Sequence, residues 1–127
     1  MVQLSSAQGY VSDSITTASP ERLVVMLYDR LILDIDRALI AVEAQNSGAA
    51  HDALVHAQDI IAELARTLDP TTWPAGNGLA ALYVFVDSLL IDANVQKDPA
   101  IVAQCRELLV PLRDAWREAA NRGTDAR

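Results

Sequence analysis

The sequence predicts an all-α chain, an antiparallel four-helix up-and-down bundle with a mobile N-terminal arm. Three observations carry that reading. Apolar residues recur every three or four positions through successive stretches, the period of a helix face. Clusters of turn formers and breakers separate the stretches: Asn46-Ser47-Gly48, Pro70 to Gly78, and Lys97-Asp98-Pro99. Hydrophobic residues make up 51% of the chain and aromatics only 5%, so the core is built from Leu, Val, Ile and Ala, which suits packed helices better than a sandwich of sheets. One domain is expected at 127 residues. Its parts are an arm over residues 1–18, a bundle over 19–121 and a tail over 122–127.

The first helix is expected from Pro20 to Gln45. Ser19 is a good N-cap, Pro20 fits the first helical position, and Glu21 places negative charge at the positive end of the helix dipole. Leu23, Leu27, Leu31 and Ile35 form its apolar stripe, and Val24, Met26 and Tyr28 widen it. A helix apolar over so much of its circumference needs more than one neighbour to cover it. The second helix is expected from Ala50 to Leu68, with Leu54, Ala57, Ile61, Leu64 and Leu68 spaced as a coiled-coil-like seam. The third runs from Leu79 to Lys97 on a seam of Leu79, Leu82, Val86, Leu89 or Leu90, and Ala93. Tyr83, Val84, Phe85 and Ile91 lie off that seam and add surplus apolar surface. The fourth starts at the Asp98 cap and Pro99 and runs to Ala120, with Ile101, Cys105, Leu108, Leu112, Ala115 and Ala119 facing inward and Gly123 marking its end. Pro111 lies inside it and predicts a kink or local break.

Composition excludes several functions. A formal net charge of −7 argues against nucleic acid and anionic membrane surfaces. A single cysteine, Cys105, cannot form an intrachain disulfide and sits at a seam position, so it reads as a small core residue. The first residues lack a signal peptide, and Asp34, Asp87 and Asp92 interrupt the longest apolar stretches, so the expected setting is soluble and cytoplasmic.

No cofactor and no metal is implied. The chain has no Glu-x-x-His, HExxH or CxxC pattern, and its histidines, His51 and His56, are five apart on one helix and point to different faces. Asp29, Asp34, Asp36 and Glu43 read as the solvated side of the first helix, with no acid–base dyad among them. No enzyme is expected. His56 leaves open a phosphotransfer module, which needs one exposed histidine on a helix. The surplus apolar surface on the first and third helices points instead to binding, and three things could cover it: a second copy in a structural homodimer, the arm, or a partner's amphipathic helix.

The stretch from Ile15 through Thr17-Ala18-Ser19-Pro20, Leu23 and Met26-Leu27-Tyr28-Asp29 resembles the signature of the flagellar secretion chaperones, the FliS family, roughly I-x-T-A-S-P-x-x-L-x-x-M-L-Y-D-G. The resemblance continues through Ala57-Gln58-Asp59-Ile60-Ile61, Leu82-Tyr83, Ala93-Asn94 and Leu112-Arg113-Asp114-Ala115-Trp116. Arg30 stands where the family usually has Gly, Ser88 and Leu89 where it often has basic residues, and the Trp73-Pro74 linker and Pro111 are not typical of it.

The resemblance implies a cytosolic export chaperone, and the chain is expected to be a monomer or homodimer. It would bind the C-terminal segment of unpolymerised flagellin, hide its polymerising surface and deliver it to the export gate, without catalysis or cofactor. Ile15, Met26, Leu27, Leu31, Tyr83 and Phe85 are the candidate cargo residues, those on the helices serving groove or core. The arm would occupy part of the binding surface before cargo arrives. Tyr10 fits the position implicated in docking the loaded complex to the gate.

Overall fold

In the computed structural model, which describes residues 19–68 and 76–125, the chain forms four helices. They are α1 (Pro20–Glu43), α2 (Ser47–Thr67), α3 (Gly76–Gln96) and α4 (Pro99–Asp125). Each packs mainly on two others, α1 on α2 and α4, and α3 on α2 and α4, so α1 and α3 stand at opposite corners of a square. Pairs across the interfaces run in opposite senses. Asn94 of α3 meets His51 of α2 while Asp87 meets Gln58, and Asp36 of α1 meets Arg106 of α4 while Asp29 meets Arg117. Neighbours are therefore antiparallel, the bundle expected from the sequence. The expected arm, Tyr10 and Ile15 included, lies outside the described residues, as does the Trp73-Pro74 linker.

The helix ends follow local chemistry. Ser19 Oγ accepts from the Arg22 N–H at 3.2 Å, with Pro20 at the first helical position. At the other end of α1, Asn46 N–H donates to the Ala41 carbonyl at 2.8 Å and Gln45 N–H to Val42 at 3.0 Å, a Schellman closure with Gln45 at φ 58°. Asn46 then caps α2, its Oδ1 accepting from Ala49 N–H at 3.1 Å. The sequence reading takes Asn46-Ser47-Gly48 as a turn. One residue serves both helices here, and Ser47 and Gly48 already belong to α2. At the α3–α4 corner, Lys97 takes φ 52° and its Nζ donates to the Asn94 carbonyl at 2.6 Å, while Asp98 Oδ1 accepts from Ala100 N–H. α3 begins at Gly76, before the expected Leu79, and α4 continues past Ala120 to Asp125. Pro111 is exposed and α4 runs through it as one helix, not the expected local break. Solvent on that side relieves the carbonyl that loses its N–H partner.

The core is aliphatic: Leu31, Ile35, Leu54, Leu64, Val86, Leu90, Val102 and Leu109 are all fully buried or nearly so. On α4 Cys105 faces inward as expected, but Val102 and Leu109 take the places expected of their neighbours Ile101 and Leu108; Ala115 is exposed and Ile101, Leu108 and Leu112 half-buried. A broad apolar stripe leaves that rotation undetermined in sequence, and the neighbours settle it.

Three aromatic residues form a polar island in this core. Tyr28 of α1 and Tyr83 of α3 are 0% and 2% exposed, and their hydroxyls are 2.7 Å apart. Trp116 of α4 also hydrogen-bonds to Tyr28. An indole only donates, so its N–H points to the Tyr28 oxygen, and either hydroxyl can donate in the Tyr28–Tyr83 bond. Burial pushes both phenol pKa values above the ordinary tyrosine range. Asp34 is buried, not on the solvated side expected for it: its carboxylate pairs with His56 Nδ1 of α2 and lies 3.8 Å from Arg30. No buried side-chain polar atom among the described residues lacks a partner.

Candidate functional site

α3 is the least neatly amphipathic of the helices. Between Gly76 and Gln96 its charges are Asp87 and Asp92 alone. By length and composition Gly78–Gln96 is apolar enough to cross a membrane. In the bundle its inner side is taken up by Tyr83, Val86, Leu90 and Ala93. That leaves an outer side that is also apolar, as expected of a helix hydrophobic most of the way round. Val84, Ile91 and Val95, at 73%, 44% and 79% exposure, fall on one line at seven- and four-residue spacing. Phe85, 47% exposed, stands about 100° further round the helix.

A hollow opens between α3 and each of its two neighbours. Between α2 and α3, a hollow of about 220 Å³ is lined by Ile61, Ala62, Ala65, Ala80, Tyr83 and Val84, with Gln58 and Asp87 at its edge. Gln58 Nε2 donates to Asp87 Oδ1 at 3.1 Å, which holds that edge together and satisfies both groups. Between α3 and α4, a hollow of about 280 Å³ is lined by Leu79, Leu112, Ala115, Trp116 and Ala119, all apolar apart from the indole N–H. Small residues open both grooves: Ala62, Ala65 and Ala80 in the first, Ala115 and Ala119 in the second. The ridge and the α2–α3 groove share Val84 and make an apolar surface with a polar edge, suited to an apolar helix or extended segment, while exposed Ser88 and Asp92 stand on the outward side of α3 between that surface and the α3–α4 hollow. No cluster of metal-binding side chains occurs among the described residues. Cys105 is buried, and burial pushes its thiol up to about 11, so it is not an active nucleophile.

The residues singled out in the sequence are distributed between core and surface. Met26 and Phe85 are exposed, Leu27 is half-buried, and Leu31 is fully buried in the core. Tyr83 is nearly buried yet lines the α2–α3 groove. Met26 belongs to α1, at the opposite corner from Phe85, so the exposed candidates do not form one site. Val95 goes unmarked in the sequence reading; its spacing of eleven from Val84 was the available signal. His51 and His56 turn to different neighbours, Asn94 of α3 and Asp34 of α1.

A family model for the flagellar protein FliS matches residues 2–123. The chain is 31% identical over 110 residues to the flagellar secretion chaperone FliS of Bacillus subtilis (strain 168), covering 87% of this chain and 82% of that protein. It is 30% identical over 115 residues to the flagellar secretion chaperone FliS of Escherichia coli (strain K12), covering 89% and 85%. It is 29% identical over 114 residues to that of Salmonella typhimurium (strain LT2), covering 88% and 84%. Matches over nearly the whole chain leave no doubt of its kinship: it belongs to the FliS family of flagellar secretion chaperones.

Proposed function

We propose that this chain binds the C-terminal segment of unpolymerised flagellin in the cytoplasm, keeps it from assembling early and delivers it to the flagellar type III export gate. The observation that carries the reading is the outer face of α3, an apolar ridge of Val84, Ile91 and Val95 beside the α2–α3 groove. A soluble chain keeps such a face bare when a partner is meant to cover it. A segment that folds on binding would gain from apolar burial at about 25 cal/mol per Å², less the entropy of ordering it. The arm, residues 1–18, would lie over part of this surface while cargo is absent, and Tyr10 within it would serve the gate. The chaperone acts by contact, with no catalysis.

The test is titration with the C-terminal segment of flagellin from the same organism, followed by calorimetry and circular dichroism. A one-to-one complex with a gain in helicity supports the reading; no binding at about 50 µM sinks it. Deleting residues 1–18 should tighten binding if the arm competes for the face.

A further inference from the structure

Asp87 is a charge in apolar surroundings. It stands on the α2 side of the α3 ridge, three residues after Val84 and four before Ile91, and lines the hollow that Ile61, Ala62 and Ala80 make apolar. It is half-buried. Its Oδ1 accepts from the Gln58 amide, which is neutral, at 3.1 Å. Its Oδ2 has no partner, and the carboxylate no ion pair, among the described residues. A carboxylate drawn partly out of water is ordinarily matched by a cation. The cations nearest along the two helices are already taken. Lys97 Nζ donates to the carbonyl and Oδ1 of Asn94, both at 2.6 Å, and Arg66 of α2 pairs with Glu63 at 3.3 Å. Asp59 of α2 and Asp92 of α3, both exposed, add to the negative potential of this side of the bundle.

We infer that Asp87 selects the cargo: the α2–α3 face takes a helical segment that carries a lysine or arginine between two apolar turns, and that cation pairs with Asp87 while the apolar residues cover Val84 and Ile91. The inference rests on the chaperone reading of this face and adds the chemistry of the segment to it. A segment lying along the ridge covers Asp87 from the solvent side, because Asp87 falls between Val84 and Ile91 on the helix. Under a segment that is apolar throughout, the carboxylate loses its remaining water and gains no partner, so desolvation of an unpaired charge offsets the apolar contact. A cation supplied at that point makes a charge-assisted hydrogen bond to Oδ2 in surroundings where such a bond is stronger than in water. Discrimination then comes from a penalty on the wrong segment as much as from contact with the right one. The steps of three and four residues from Val84 to Asp87 to Ile91 set the pattern: apolar, basic, apolar at the same steps on a helix packed alongside. Gln58 is a positioning residue. Its amide takes Oδ1 and leaves Oδ2, so one N–H donor suffices and lysine serves as well as arginine.

Calorimetric titration of the full chain with the flagellin C-terminal segment tests this. Asp87→Asn is the variant, since it keeps an oxygen for Gln58 and removes the charge. Affinity should fall at least about tenfold, with helicity and unfolding midpoint unchanged. Replacing the basic residues of the segment by methionine, one at a time, should find one whose loss costs as much against the parent and less than about twofold against Asp87→Asn. Asp59→Asn and Asp92→Asn, at exposed positions, should each cost less than about threefold. Synthetic amphipathic helices, with leucine on one side and Lys, Met or Glu at its middle, are the second probe. The parent should prefer the Lys helix to the Met helix by about tenfold or more, and Asp87→Asn should bind the Met helix at least as tightly as the parent does. An Asp87→Asn chain that binds the flagellin segment within about twofold of the parent overturns the inference and leaves the chaperone reading standing. Equal losses from Asp59→Asn, Asp87→Asn and Asp92→Asn overturn it too, since they report attraction to overall charge. A parent that ignores the flagellin segment but sorts the synthetic helices as described fails the chaperone reading alone. A parent that binds neither probe overturns both.

Discussion

Tyr28 and Tyr83 touch hydroxyl to hydroxyl, 2.7 Å apart, across the diagonal of the bundle. Their helices are otherwise held apart by α2 and α4. Their rings are tilted at 53° with centroids 6.5 Å apart, so the contact is polar at the tips and apolar along the sides. With Trp116 donating to Tyr28, the island ties α1, α3 and α4 together. It also places the candidate face, since Tyr83 lines the α2–α3 groove from beneath Val84.

Tyr28→Phe removes the oxygen that accepts from Trp116 and the hydroxyl that pairs with Tyr83. It should destabilise the fold by about 1–3 kcal/mol, the cost of buried polar groups left without a partner. Tyr83→Phe leaves the Trp116 bond intact and should cost less, about 1 kcal/mol. Urea unfolding of both variants and the double variant checks the order. A double variant that loses less than the sum shows the coupling.

The same burial gives the protein an alkaline limit. The Cys105 thiol rises from 9.0 to about 11 in the fold, and both buried tyrosines rise above their ordinary 10.0. Between pH 9 and 11 the unfolded chain releases the thiol proton and the folded chain holds it. The unfolded state then binds fewer protons, so stability falls as pH rises. The Cys105 part of the loss is about 2–3 kcal/mol by pH 11, at about 1.4 kcal/mol per unit, and the tyrosines steepen it above pH 10. Cys105→Ala should remove the pH 9–10 part of the slope in denaturant titrations. Tyrosinate absorbance from Tyr28 and Tyr83 should appear only with unfolding.

Much of this was legible in sequence. The caps Ser19 and Asp98, each followed by Pro, mark the starts of α1 and α4 because the two residues have separate jobs at a helix start. The surplus on α3 was legible because Val84, Phe85 and Ile91 fall off its seam. Periodicity says which residues share a face, and it does not say which broad face turns inward. That is why Tyr83 appears off the seam in sequence and sits buried in the bundle, its hydroxyl satisfied by Tyr28. Asp34 hides for the same reason: an aspartate reads as solvated until a partner 22 residues away, His56, meets it.

Gln45 holds a left-handed conformation, φ 58°, to close the Schellman turn. A side chain there strains the backbone, and glycine does not. Gln45→Gly should stabilise the protein by about 0.5–1 kcal/mol, the relieved strain outweighing the extra freedom of the unfolded chain. Thermal unfolding would show a raised midpoint.

Leu31 and Leu33 separate core from surface on α1. Leu31 is fully buried, and Leu31→Ala should cost about 2–5 kcal/mol for lost contact and the cavity left behind. Leu33 is 41% exposed, and Leu33→Ala should stay within about 0.5 kcal/mol in dilute solution. Equal losses in denaturant titration would contradict the placement of α1.

Val84 offers the sharpest test of the α3 face. It is 73% exposed, so a polar substitute there stays in water and spares the core. Val84→Asp should leave helicity and unfolding midpoint unchanged within error. In the proposed complex, however, it would bury a carboxylate among Ile61, Ala62 and Ala80, with Asp87 already acidic at the groove's edge. An unpaired charge in such a contact costs several kcal/mol, so affinity for the flagellin segment should fall at least about a hundredfold. Val84→Ala removes only contact area and should cost about tenfold or less. A Val84→Asp protein that binds like the parent would move the cargo off the α3 ridge; Phe85→Ser, one step round the helix toward α4, then tells whether binding has shifted to the Trp116 groove.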